Sequence, residues 1–513
     1  MSLAFPAPRL ARSDAAPSRA SDAAHAVLAL IVIGSLVRIA MAGVLGLGID
    51  ESYTVANARF VAWSYVDYPP LHAWLVAVWV WLAGSDNALI VRLPFIGLFA
   101  GSTWMMFRLG AMLFGERAGV WAALLLNLAP VFALPHGSWV LPDGPLTFFL
   151  LSAVTLAAQL LFENGEPSRD LRGWLGVGLL GGLAMLSKYH GAFFLLGMLA
   201  FLLSWPPGRR LLATPAPWLG AAVAIALFVP VIVWNVQHDW IGLWFQAKRI
   251  PGTGGLSLSR VVTNIAGQAL YLSPWLLIPL AAVWVQALRR GAADPRSWLL
   301  ALLAGGPIVF FTAANLFARG LPHWAMPGWL FVFPLLGAAA AKLELSQPRL
   351  VRIAAQSSAA ILAVLFVVVA GTAVTGWPSR VLPARAAQSD PTLQLLDWRQ
   401  MRAALDERGL RNDKTVVAGL SWIDAGKLNY ALGRDVPVLC LCTDPQEFRF
   451  LQDPSRYSGR DILIVQQSSK SARSPPALLR HFRRVQVLAP IVLTRAGAPA
   501  LQLNLSRGIG FQP

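Results

Sequence analysis

The sequence predicts an all-α polytopic membrane protein with a small soluble α/β domain at its C-terminal end. Three observations carry that prediction. Hydrophobic residues make up 56% of the chain, charged residues only 13%, and the mean hydropathy is +0.57. A soluble domain carries about 25% charged residues, so this chain cannot cover itself with a polar surface in water, and a bilayer asks for none. Apolar stretches of spanning length recur along most of the chain, and from about residue 380 they shrink to the length of β-strands.

The elements come in order. Residues 1–25 are polar, carry Arg9, Arg12 and Arg19, and are not followed by a clear small-residue cleavage site. They read as a cytoplasmic tail before an uncleaved first helix. Spanning stretches lie at 26–47, 87–113, 118–135, 144–162, 173–187, 190–205, 217–235, 262–288, 297–316, 324–341 and 351–374, about eleven in all. Those at 173–187 and 190–205 are short enough to form one broken hairpin. The segment "LHAWLVAVWVWLA", 71–83, is shorter still and Trp-rich, which places it on the membrane surface as a juxtamembrane helix. A membrane domain therefore covers 26–376, with a first external loop at 48–86. In 380–513, "TVVAGL", "VPVLCLC", "DILIVQQ" and "RVQVLAPIVL" read as strands, and "PTLQLLDWRQMRAALDERG" as an amphipathic helix closed by Gly409.

Charge orients this layout. With the N-terminus inside, one side collects Arg9, Arg12, Arg19, Arg117, Arg169, Arg172, Arg209, Arg210, Arg289, Arg290, Arg296, Lys342, Arg349 and Arg352. The other collects Arg59, Lys188, Lys248, Arg249, Arg260 and Arg319. The bias puts the C-terminal domain outside. The net charge of +17 does not indicate a nucleic-acid partner, because the basic residues sit between apolar runs rather than on one polar face. Cys440 and Cys442 are too few for a disulfide framework or a metal cluster. No close His spacing of a zinc protease, no G-x-x-x-x-G-K-[ST] loop and no G-x-S-x-G elbow occurs. Arg38 is the one charge read as lying deep within a span, and no inverted repeat marks a transporter.

The unusual polar segments all fall on the external side: "GIDESY", "SYVDYPP", "PHGSWVLPDGP", "SKYHG", "WNVQHDW" and "LPHWAMPGW". Together they indicate one site at the outer membrane boundary. Asp50 and Glu51, straight after the first helix, are a solvated helix end or a general base and cation ligand. Asp143 suits an N-cap, and a fixed carboxylate there could orient a hydroxyl or share a cation with Asp50. Lys188, in a turn beside Tyr189 and His190, either snorkels or holds a phosphate. Asp67, Tyr53, His136, His238, His323 and Trp324 complete the set of candidate substrate contacts.

"DES", "WSYVDYPPLHAWL", "ALIVRLPF", "LFGERAGVWAALLLNLAPVF", "LPDGPLTFF" and "LSKYHGAFFLL" form an ordered series over about residues 30–340. The series resembles the polyprenyl-phosphate-sugar-dependent membrane glycosyltransferases of the GT-C fold. The likeness is greatest to the bacterial branch related to protein mannosyltransferases, lipid A aminoarabinose transferases and rhizobial lipopolysaccharide galacturonosyl transferases. The resemblance implies a bacterial inner-membrane enzyme with a periplasmic site. It would invert the sugar on transfer from a polyprenyl-phosphate donor to a lipid or glycan acceptor, a protein acceptor being the alternative and a transporter or flippase the rival class. It implies catalytic parts for Asp50, Glu51 and Asp143, with Asp50 the base. Some relatives keep a phosphate-binding lysine just before the first proline, where this chain has Tyr68. Lys188, with Arg249 and Arg260 behind it, is the candidate replacement. No cofactor is certain, and a divalent cation on Asp50 and Asp143 is left open.

Overall fold

A computed structural model of the chain describes residues 17–163, 165–249, 255–381, 390–467 and 480–513. Arg9 and Arg12 of the expected cytoplasmic tail lie outside the described residues. Helix α1 spans Pro17–Val44, and a short turn leads into α2, Ile49–Ala58. Helix α3, Leu71–Ala83, starts directly after Pro70 and closes at Gly84, whose φ of +64° suits glycine. Its 13 residues are too few to cross a bilayer. Helix α4, Ala88–Phe114, is N-capped by Asn87, which accepts from the Ile90 N–H at 3.0 Å.

Among the described residues seven helices are long and apolar enough to cross a membrane, and the number reaches ten if each of three bent helix pairs counts as one span. The bends are 80° between Glu116–Leu128 and Pro130–Ser138, 113° between Tyr189–Ser204 and Pro206–Leu212, and 61° between Pro322–Leu330 and Phe333–Ser346. Prolines at the break in two pairs, and at the start of the second helix in the other, stop helical propagation there. The expected count of about eleven is reached only with the shorter helix Leu171–Ser187, which packs between the Asp143–Phe162 and Pro215–Gln237 helices. The expected single span at 262–288 is corrected. Ser273, at φ +81° and followed by Pro274, divides it into Leu258–Leu272 and Pro274–Arg290. Arg38 is also not the one deep charge, since Arg92 in α4 is buried as well.

Among the described residues the C-terminal part holds a five-stranded sheet of order β2-β1-β3-β5-β4. Strands β1 (Val417–Gly419), β2 (Val438–Cys440) and β3 (Ile462–Gln467) run parallel, while β4 (Phe482–Arg495) and β5 (Ala498–Phe511) form an antiparallel hairpin. The four strands read from the sequence are β1 to β4. Strand β5 was missed, although Leu501, Leu503 and Leu505 alternate inward. The helix expected over 391–409 is broken: Pro391–Leu395 is a 3-10 turn, Leu396 is extended, and only Gln400–Glu407 is α-helical. Cys440 and Cys442 are joined in a disulfide, their Cα atoms 5.5 Å apart.

Helix α2 joins the two parts of the molecule. Tyr53 and Ala56 of α2 sit inside the hydrophobic core that β1, β2, β3 and the Trp422–Leu432 helix build. Val55 and Ala58, on the other side of α2, pack with Tyr65, Val76 and Phe95 of the membrane part. One ten-residue helix thus serves two cores.

Candidate active site

The turn before α2 leaves a row of carbonyls at the end of α1 with no helical partner. Arg92 reaches across from α4 and collects them, donating to the carbonyls of Leu45 at 2.7 Å and Gly46 at 2.9 Å. The same guanidinium grips Glu51, Nε to Oε1 at 2.7 Å and Nη2 to Oε2 at 2.6 Å. Glu51 also accepts from the backbone N–H of Gly48 at 2.8 Å and of Val140 at 3.1 Å. Burial alone would push the Glu51 carboxyl up, but the charge and hydrogen bonds of Arg92 hold it below the usual range. Glu51 is fully enclosed and occupied. Its geometry is that of an anchor for α2, and it leaves its neighbour as the open carboxylate.

That neighbour is Asp50. It is exposed, and its side chain forms no hydrogen bond or ion pair among the described residues. Water reaches it, yet protein packs closely around it. Partial burial, and then the charges of Glu51 and Asp143, raise its carboxyl above the ordinary value, while Arg249 and Lys188 pull the other way. Asp50 therefore lies within electrostatic reach of both cations.

Those cations border a cavity of about 230 Å³ lined by Tyr68, Lys188, Tyr189, His190, Gln246, Arg249 and Trp324 with Phe193, Phe310 and Phe311. Lys188, at the C-terminal end of the Leu171–Ser187 helix, is buried and donates to Asp143 Oδ1 at 2.8 Å. Its Nζ lies 5.9 Å from the Tyr68 ring. Asp143 opens the Asp143–Phe162 helix, and His136 Nε2 stands 3.6 Å from the same oxygen. His136 Nδ1 is fixed 3.1 Å from Thr147 Oγ1. Arg249 lies over the Phe245 ring at 4.4 Å. His190 stacks on Phe311 with centroids 4.4 Å apart, and its buried Nε2 has no hydrogen-bond partner among the described residues. The cavity offers two cations, flat rings and a ring nitrogen. That combination suits a phosphate and a sugar.

The structure thus brings Tyr68, Lys188, Tyr189, His190, Arg249 and Trp324 to one cavity, with Asp143 and His136 directly behind it. Other expected contacts do not line the cavity. Arg260 donates to the carbonyls of Asn315 at 3.3 Å and Leu316 at 2.8 Å, so it caps the end of the Pro295–Ala314 helix and does not line the cavity. His238 stacks on Trp234 at 4.2 Å and donates to that residue's own carbonyl at 2.8 Å. His323 stands beside Tyr271, with centroids 5.9 Å apart, and lies within electrostatic reach of Lys188 and Asp143 although it does not line the cavity. Asp67 and Tyr53 are buried against each other, Tyr53 Oη donating to Asp67 Oδ1 at 3.2 Å, and Asp67 adjoins the cavity through Gln246 and within electrostatic reach of Arg249 and Asp50. Among the described residues no three His, Cys, Asp or Glu side chains are grouped to hold a metal ion.

Residues 67–234 match the family model described as dolichyl-phosphate-mannose-protein mannosyltransferase. Over 321 residues the chain is 28% identical to the lipid A galacturonosyltransferase RgtD of Rhizobium johnstonii, a match covering 59% of this chain and 63% of that relative. The crystal structure of ArnT from Cupriavidus metallidurans bound to undecaprenyl phosphate superposes with a TM-score of 0.63 at 17% identity, over 93% of this chain and 97% of that one. The chain is a multi-pass membrane protein with the GT-C fold. The oligosaccharyltransferase of Archaeoglobus fulgidus is a more distant GT-C neighbour, with a TM-score of 0.51, 12% identity, and coverage of 91% of this chain and 73% of that one. The family-model match starts at Asp67, so α2 and its acidic pair lie ahead of it.

Sequence reasoning missed several residues around the GT-C cavity. Arg92 stood in the quoted "ALIVRLPF" as a lone arginine in an apolar helix, which is a signal for a buried partner. Gln246, whose Nε2 donates to the Asp67 carbonyl, and Phe311 gave no such signal. Glu447 and Lys427 lie far along the chain and reach α2 and its loop only through the fold.

Proposed function

We propose that the chain is an inner-membrane glycosyltransferase. It transfers a sugar from a polyprenyl-phosphate donor to an acceptor hydroxyl on lipid A or another envelope glycan. The observation that carries this reading is the pairing of one open carboxylate, Asp50, with a cavity bordered by Lys188 and Arg249. The similarity to a lipid A galacturonosyltransferase and to a fold seen with undecaprenyl phosphate supports it. The bias of Lys and Arg toward the opposite loops favours a site on the outer face.

The chemistry is set by the groups present. Lys188 and Arg249 hold the donor phosphate and neutralise charge as it leaves. Asp50 accepts the proton of the acceptor hydroxyl. The acceptor oxygen bonds to the anomeric carbon while the bond from that carbon to the phosphate oxygen breaks. Polyprenyl phosphate departs, and a single displacement inverts the anomeric centre. Asp143 keeps Lys188 extended toward the cavity. A raised Asp50 carboxyl is a stronger base than an ordinary aspartate, and the rate rises with pH as it ionises.

Replacing Asp50 with Asn tests this reading. Mass spectrometry of envelope glycolipids from cells with and without the protein identifies the added sugar, and the D50N protein is expected to leave the acceptor unmodified. Full transfer by that variant would sink the assignment of the base. Unchanged glycolipids in the deletion strain, with altered O-glycosylated protein, would favour a protein acceptor, as the matched mannosyltransferase family model describes.

A further inference from the structure

Asp50 depends on where the turn before α2 puts it, and that turn is held from two sides. Arg92 holds it from the membrane part through the Leu45 and Gly46 carbonyls. The next carbonyl, that of Leu47, accepts from Lys427 of the C-terminal domain. Lys427 lies on the Trp422–Leu432 helix and is 3% exposed. Its ammonium also donates to the Gln394 carbonyl at 2.5 Å and the Leu396 carbonyl at 3.4 Å. No carboxylate pairs with it among the described residues.

A buried ammonium without a counter-ion is costly, and burial pulls its pKa down to about 7. A leucine would fill the same volume at lower cost. What the lysine adds is a bond to three carbonyls from two separate stretches, one of them three residues ahead of Asp50. Contacts along the rest of α2 and its loop point the same way. A Cβ on Gly426 would come within 3.3 Å of the Tyr53 Cα and Cβ, so the two helices touch at backbone distance. Arg59, just past α2, donates to Asn429 Oδ1 at 2.8 Å. Glu447 accepts from the Val66 N–H at 2.8 Å, and its own N–H donates to Tyr53 Oη at 3.1 Å.

We propose that Lys427 is a positioning residue for Asp50, and that the C-terminal domain acts as a clamp setting the base against the cavity. The proposal rests on Asp50 being that base. Lys427 contacts no substrate. It acts by closing the Leu47 carbonyl and so fixing the direction in which α2 leaves the turn. Small displacements of a reacting group cost large factors in rate.

The test uses the full-length protein purified in detergent, with undecaprenyl phosphate galacturonate as donor probe and lipid A as acceptor. In K427M, kcat is expected to fall 10- to 100-fold while the Kd for undecaprenyl phosphate stays within about twofold. Amide hydrogen exchange over residues 48–53 should quicken in the same variant. G426A is the second variant. Its added methyl presses on Tyr53 and displaces α2 with the lysine intact, and it should show the same split between kcat and Kd. It decides the matter if K427M does not accumulate. Unchanged kcat in both variants, with D50N inactive, would overturn the clamp and leave the base assignment standing. An active D50N would remove the base assignment and the clamp together.

Discussion

Asp50 and Asp143 are close enough to sense each other's charge, yet their surroundings are opposite. Asp143 is buried, bonded to Lys188 and flanked by His136. Asp50 is exposed and unpartnered, while its neighbour Glu51 absorbs Arg92 and two backbone donors. The difference teaches how one end of a helix bundle can hold several acids and keep one reactive. A carboxylate saturated with donors is a fixture. A carboxylate kept free, but anchored through the residue beside it, can take a proton.

The sharpest way to break this comparison is at Asp50. D50N should lower kcat by about 10³-fold or more, with the thermal unfolding midpoint unchanged, because nothing in the fold leans on that side chain. E51Q should do the reverse. It leaves Arg92 buried without its counter-charge, at a cost of about 3 kcal/mol of stability, read as a lower unfolding midpoint in detergent. Equal stability in the two variants would erase the distinction between anchor and base. K188M comes next. It should weaken binding of undecaprenyl phosphate by about 10- to 100-fold, the value of a charge-assisted hydrogen bond. By contrast R260Q should change that affinity by less than about twofold, since its carbonyl partners lie off the cavity.

A smaller effect concerns pH. Burial pushes the Asp67 carboxyl up to about 7 and Glu447 up to about 8. Both folded values stand above the unfolded ones, so the folded state binds more protons. The stabilising contribution of these two groups is complete below about pH 4 and is lost as pH rises to the folded values, by at most about 1.4 kcal/mol per pH unit for each group. Lys427, drawn down to about 7, contributes the opposite slope above that pH, so the effect is read as a difference: the unfolding midpoint of the unaltered protein minus that of E447Q should fall between pH 5 and 8. A difference that rises over this range would contradict the assignment.

Much of this was legible in the sequence because spans, breaks and strands each have a local signature. The apolar lengths gave most of the helices, and charge asymmetry grouped the polar loops. "SKYHG" and "LPDGP" stood out as polar residues at helix ends, and they meet as Lys188 and Asp143. The 262–288 segment misled because Ser273 and Pro274 sit in an otherwise unbroken apolar run, and hydropathy does not register a backbone turn. The separate duties of Asp50 and Glu51 were not legible. Two adjacent acids look alike until a distant arginine chooses one of them. Lys427 and Glu447 were invisible for a related reason: their partners lie about 380 residues away along the chain.

The membership of α2 in two cores has a consequence for how the molecule is made. The helix leaves the ribosome early, and the membrane part can shelter its Val55 and Ala58 face at once. Its Tyr53 and Ala56 face waits for strands that are synthesised more than 350 residues later. Until then α2 is a half-covered segment with its acidic tip unset. The α2 helix is therefore covered on both faces only after the C-terminal strands have been made, so a chain cut short before them keeps its cavity walls but leaves the Tyr53 and Ala56 face of α2 uncovered.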